Sequence, residues 1–172
     1  MLDQLHQALA ALPALLDDRT WDSLHIDYHP PRVERLFRAF GDGRVFLHRI
    51  HPCDPGEALF HPHPWPSAMA VLRGRYEMSV GAGIERATPV SRIVASAPFE
   101  YEMTDPNAWH SVRPIDAPVL SVMVTGAPWN RSSPRPERPL APLTPDAADA
   151  LRRTFGTCLS EGAPACRMEA AR

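Results

Sequence analysis

Leu2, Leu5, Leu9, Leu12, Leu15 and Leu16 recur at steps of three and four residues. That spacing lines apolar side chains along one face of a helix. Pro13 is placed to kink or end it. A second helix is expected after the Pro30-Pro31 pair, where Val33, Leu36, Phe37 and Phe40 share a face and Gly41 offers a stop. The same nine residues, RVERLFRAF, are short and aromatic enough to be a strand instead.

From Gly43 the pattern shortens. Residues 44–50, 68–74, 75–81, 91–96, 99–103, 109–115 and 119–126 are brief apolar-rich runs, each bounded by Gly, Pro, Asp or Asn. Many short strands at close spacing predict an antiparallel sandwich or barrel. A proline-rich stretch from Ala127 reads as an extended strap. Residues 146–159 then predict one more helix, with Thr144-Pro145 as its start. The last dozen residues are expected to fray. The organisation is one domain over 1–172: a helical region at 1–42, a β-barrel at 43–126, and a strap and helix at 127–172.

Composition narrows the function more than the fold. The chain has 172 residues, enough for one domain with a real core. A formal net charge of −2 and the lack of a basic stripe argue against nucleic acid as a partner. Every cationic side chain is arginine, so no lysine is present to act as a Schiff base or general base. Three sparse cysteines, Cys53, Cys158 and Cys166, suit a reducing compartment, with a bond between the last two left open. Residues 5–16 have the apolar character of a signal sequence, but Asp3 stands where a cation belongs, so helix is the better reading. No run approaches the roughly 20 apolar residues of a membrane span. A soluble, cytoplasmic protein with no membrane partner is expected.

The chemistry concentrates in PGEALFHPHPWPSAMAVLRG, residues 55–74. His61 and His63 stand two apart, so on a strand both imidazoles leave the same face. Two ring nitrogens then reach one ion at about 2.0–2.1 Å. His110, opening a later strand after an Asp-Pro-Asn turn, is the expected third ligand. His48 and His51 lie on opposite faces of one strand and read as packing or surface residues. His6, His25 and His29 read the same way.

These residues resemble the cupin superfamily. Its first motif runs from a glycine through His-x-His to a glutamate and a closing glycine; Gly56, His61, His63 and Gly74 match it. Its second motif, a turn followed by a histidine, is matched by Pro106-Asn107 and His110. The resemblance spans residues 44–126 and implies a cupin-type double-stranded β-helix, a jelly-roll barrel, with flanking terminal helices. Three departures stand out. Ser67 occupies the position of the glutamate ligand, the spacer before His61 is one residue short, and Asn107 replaces the turn glycine. If a fourth protein ligand exists, Glu102 is the first candidate. By analogy with the family, a homodimer is expected.

Three neutral imidazoles add no negative charge, so a bound ion stays electrophilic and suits an anionic ligand. Imidazole accepts Fe, Ni, Cu and Zn alike; Fe(II) is favoured, with Zn, Ni, Mn or Cu as alternatives. Family members with three histidines and no glutamate include iron enzymes that add dioxygen to thiols or cleave diketones. The resemblance therefore implies a non-haem Fe(II) dioxygenase of a small anionic metabolite or thiol. A lyase, isomerase or decarboxylase using Zn, Ni or Mn as Lewis acid, and a non-catalytic ligand- or metal-sensing module, are the other readings. Strand alternation sets Ser67 and Met69 on the inward face with the histidines. Trp65, Glu102 and Met123 are further expected lining residues. Arg49 is a candidate clamp for a carboxylate, and Tyr76 a candidate hydrogen-bond or proton donor.

Overall fold

A computed structural model describes residues 1–131 and 134–162. The tail expected to fray, and Cys166 with it, lies outside the described residues. Helix α1 (Leu2–Asp17) buries Leu5, Ala8, Leu9, Leu12 and Leu16. It continues through Pro13, which sits on the exposed side. Ten strands follow. They are β1 (Asp22–Ile26), β2 (Val33–Phe40), β3 (Gly43–Ile50), β4 (His61–Pro62), β5 (Ser67–Arg73), β6 (Arg75–Ala82), β7 (Ser91–Ser96), β8 (Phe99–Met103), β9 (Ala108–Pro114) and β10 (Val119–Thr125). Helix α2 (Pro145–Ser160) closes the described chain. Thr144 caps it by accepting from the Ala147 amide at 3.3 Å, and Pro145 fills the first turn.

The strands form two antiparallel sheets, in the orders β1-β2-β3-β10-β5-β8 and β4-β9-β6-β7. Apart from the β6–β7 hairpin, the eight strands from β3 to β10 alternate between sheets as in a jelly roll, β3-β10-β5-β8 facing β4-β9-β6-β7. The architecture is the cupin-like β-sandwich with flanking helices that the sequence predicts. Glycines serve two of its tight points. Gly74, at φ +86°, turns β5 into β6, and a Cβ on Gly43 would sit 1.7 Å from the Thr125 carbonyl oxygen.

The second expected helix is a strand. Residues 33–40 pair with β3 from Val33↔Ile50 to Phe40↔Gly43, and β1 pairs along the other edge. Gly41, at φ +56°, makes the hairpin turn instead of stopping a helix. The helical spacing of Val33, Leu36, Phe37 and Phe40 misleads because this strand is apolar on both faces. Leu36 joins the helix-side core, while Phe37 packs toward the interior against Phe46. Residues 1–42 therefore supply one helix and two strands that widen the larger sheet.

That sheet buries both faces, as the unbroken burial of β10 and of β5 up to Leu72 shows. On the outer face Val45, Leu47, Ala68, Ala70, Val122 and Val124 meet the leucines of α1 and Leu151 and Phe155 of α2. On the inner face Phe46, Met69 and Met123 look into the sandwich. The helices thus seal one side and leave the other free to build a cavity. On either side of residues 132–133 the proline-rich stretch is tied to the body, Trp129 N–H donating to the Pro64 carbonyl at 2.8 Å and the Ala141 carbonyl accepting from His25 N–H at 2.9 Å.

Candidate metal centre

The smaller sheet brings the three histidines together. His61 on β4 is the cross-strand partner of His110 on β9, and His63 follows two residues later. One ring nitrogen from each lies within 4.8 Å of the others. The Nε2 atoms of His63 and His110 are 3.0 Å apart. Two nitrogens each about 2.0–2.1 Å from one ion and at right angles would be about 3 Å apart, so the donor set fits a divalent metal.

Hydrogen bonds on the far side of the rings decide which nitrogen is free. The Leu59 carbonyl, 3.0 Å from His61 Nδ1, can only accept. His61 therefore carries its hydrogen on Nδ1 and presents Nε2 as a lone pair. His63 Nδ1 is 2.8 Å from the hydroxyl of Ser67, a fully buried residue. Ser67 thus stands behind the His63 ring and orients it. The Nδ1 atom of His110 is buried without a partner among the described residues. Burial holds His61 down to about 4 and puts His63 and His110 well below the ordinary imidazole value. All three are neutral at physiological pH, the state in which imidazole binds a metal.

Ser67→Ala is expected to keep the three imidazoles but free the His63 ring to turn. Loss of such a partner weakens metal binding by about 10–100-fold. Titration of the chelator-treated variant with ferrous or zinc ion measures this; wild-type affinity would make Ser67 a packing residue only.

The cluster lies in the wall of a cavity of about 270 Å³ between the two sheets. Trp65, Met69, Tyr76 and Met123 line it. Three expected residues do not line it: Ser67 sits behind the His63 ring, and Arg49 and Glu102 are elsewhere. Arg49 lies on the outward face of β3, opposite Glu34 in the register, and pairs with that carboxylate. Glu102 lies on the side of β8 that meets α1, where it pairs with the amino group of Met1 at 3.3 Å. Alternation explains both: Tyr101, between Glu100 and Glu102, is the β8 residue that turns inward beside His110.

Sequence reasoning also passed over residues that the fold delivers. His48 lines the cavity and is not a surface residue; His51 takes the outward side, near Glu34. Arg35 stands opposite His48 across the β2–β3 pair and donates from Nε to His48 Nε2 at 2.9 Å. The alternation of Val33, Arg35 and Phe37 carried this information, but only once residues 33–40 are taken as a strand. The hydroxyls of Tyr76 and Tyr101 are hydrogen-bonded to each other at 3.1 Å. Burial raises both phenols above their usual value, so both stay protonated.

The fold and the site define a jelly-roll protein with a three-histidine cluster on its cavity wall, a combination that fits a cupin. No protein-family model matches the chain, and no curated protein matches it significantly. Among solved structures it is similar to hydroxypropylphosphonic acid epoxidase from S. wedmorenis, at 15% identity and a TM-score of 0.48, covering 62% of this chain and 55% of that one. It is also similar to iron(II) HppE, at 16% identity and a TM-score of 0.47 over 63% and 56% of the two chains. A cobalt(II) HppE complex with substrate matches at 14% identity and a TM-score of 0.43, over 54% and 50%. The chain spans little more than half the length of these structures.

Proposed function

We propose that this protein is a metal-dependent cupin enzyme holding one divalent ion, Fe(II) favoured, through His61, His63 and His110, and that it oxidises a small anionic metabolite or thiol. The observation that carries the reading is the convergence of three neutral imidazoles, His63 and His110 buried and His61 half-buried, on the wall of a cavity large enough for a small molecule. The bound ion would supply Lewis acidity and, if iron, redox chemistry with dioxygen.

The chain's own residues supply the rest. Leu59 and Ser67 fix two of the rings from behind. Trp65, Met69 and Met123 form an apolar wall around the bound molecule. Tyr76 and Tyr101 share one hydrogen bond, so one phenolic hydrogen of the pair is left over, and the pair is the donor to a substrate oxygen.

The test is oxygen consumption by protein loaded with ferrous ion, screened against small acids, thiols and diketones. Oxygen uptake that needs both iron and substrate is expected. Turnover under strict anaerobiosis with zinc, nickel or manganese would replace the oxidase reading with a lyase, isomerase or decarboxylase. Saturable ligand binding without turnover would leave a sensing module.

A further inference from the structure

Arg35 is a half-buried cation without an anion of its own among the described residues. Its Nε donates to His48 Nε2, and its guanidinium lies 5.1 Å from the Phe46 ring centroid. Neither partner carries negative charge. His48 is held well below the ordinary imidazole value by its burial and by Arg35 itself, so it is neutral. The other groups that bear on the guanidinium, the Tyr28 phenol and the imidazoles of His61 and His63, carry no negative charge either, since burial raises the phenol and lowers the imidazoles. A carboxylate is only one residue away, but Glu34 faces the opposite side of the sheet and is taken by Arg49 and His51.

Burial lowers Arg35 to about 10, which leaves it charged at neutral pH. Holding such a charge partly away from water with no anion beside it costs stability. An arginine fork presents parallel N–H groups matched to two oxygens of one oxyanion. With Nε engaged by His48, the terminal amino groups remain for the cavity. Around it Ile26, Val33, Ile50, Trp65, Met69 and Met123 line the same space with apolar surface.

We propose that Arg35 is the anion anchor of this cavity, and that its ligand is a small monocarboxylic acid with an apolar body, the carboxylate on Arg35 and the body against the apolar wall. His48 acts as a positioning residue, holding the guanidinium through Nε so that its outer edge faces the ligand. The inference rests on the reading of this cavity as the substrate site and adds the substrate class to it.

The test uses chelator-treated full-length protein, so that it does not depend on metal. Benzoate and its neutral counterpart benzamide are titrated into wild type, Arg35→Met and Arg35→Gln by calorimetry. Wild type is expected to bind benzoate at least about tenfold more tightly than benzamide, as a charge-assisted fork should. Both variants are expected to lose that preference, keep benzamide binding, and take up metal as wild type does on reconstitution. Removing a half-buried charge that has no anion beside it should also leave the melting temperature of Arg35→Met at or above that of wild type, so misfolding does not hide the result. Benzoate bound equally well by the variants, or bound no better than benzamide by wild type, overturns the anchor. Metal uptake intact with no benzoate preference sinks this inference alone. A benzoate preference lost with Arg35 in a protein that takes up no metal sinks the metal centre and leaves the anchor standing.

Discussion

His61→Ala/His110→Ala is expected to take the protein from about one divalent ion per chain to background, and to abolish any metal-dependent turnover with it. The two residues are cross-strand neighbours on β4 and β9, so their loss removes both nitrogens supplied by one face of the smaller sheet. A single imidazole, His63, would remain. The variant should still fold. His61 and His110 contribute ring nitrogens that are costly to bury, and the strand pairing around them is carried by backbone bonds. Plasma mass spectrometry on protein prepared without a polyhistidine tag, beside circular dichroism of the same samples, measures both quantities. Wild-type metal content in a folded double variant would move the ion elsewhere. Failure of the wild type to take up iron, zinc, nickel or manganese after reconstitution would remove the centre altogether.

The ligand triad was legible because it depends on local facts. His61 and His63 are two residues apart, and His110 opens a strand after a turn. Closing glycine Gly74 sits at a positive φ that its motif position anticipates. What escaped notice depends on how strands face each other. Arg49 and His48 are adjacent, and only the register against β2 shows that His48 looks inward while Arg49 meets Glu34. Arg35 was hidden by a deeper ambiguity. A strand covered on both sides loses its polar–apolar alternation, and the apolar positions that remain at 33, 36, 37 and 40 imitate a helix. The same effect weakens the alternation along β5, yet there the flanking Pro66 and Gly74 bound a run too short for a helix. β4, two residues long, carries no periodic pattern at all. Function and readability therefore part company at the second layer of the site. The ligands lie in a recognisable motif, whereas the residues that would choose the substrate come from a strand outside it.

Phe155→Ala is the substitution expected to cost the most stability without touching the site. Phe155 is fully buried on α2 and packs in the cluster that joins α1, α2 and the outer face of the larger sheet. The positions it helps to cover, Leu36 and Leu47 on β2 and β3, are the outward neighbours of the inward-facing Arg35 and His48. Truncating a buried phenylalanine typically costs about 3–5 kcal/mol, the sum of lost transfer energy and the cavity left behind. For a domain of this size that lowers the melting temperature on the order of 10 °C. Metal stoichiometry at 20 °C should not change, because the three histidines hang from β4, its C-terminal flank and β9 in the other sheet. Thermal unfolding and metal analysis on one preparation separate the two effects. A large fall in melting temperature with full metal content is the expected pair. Loss of metal in a variant that is still folded would mean that the larger sheet transmits the packing of its outer face to the centre, through the Arg35–His48 contact that spans its inner one.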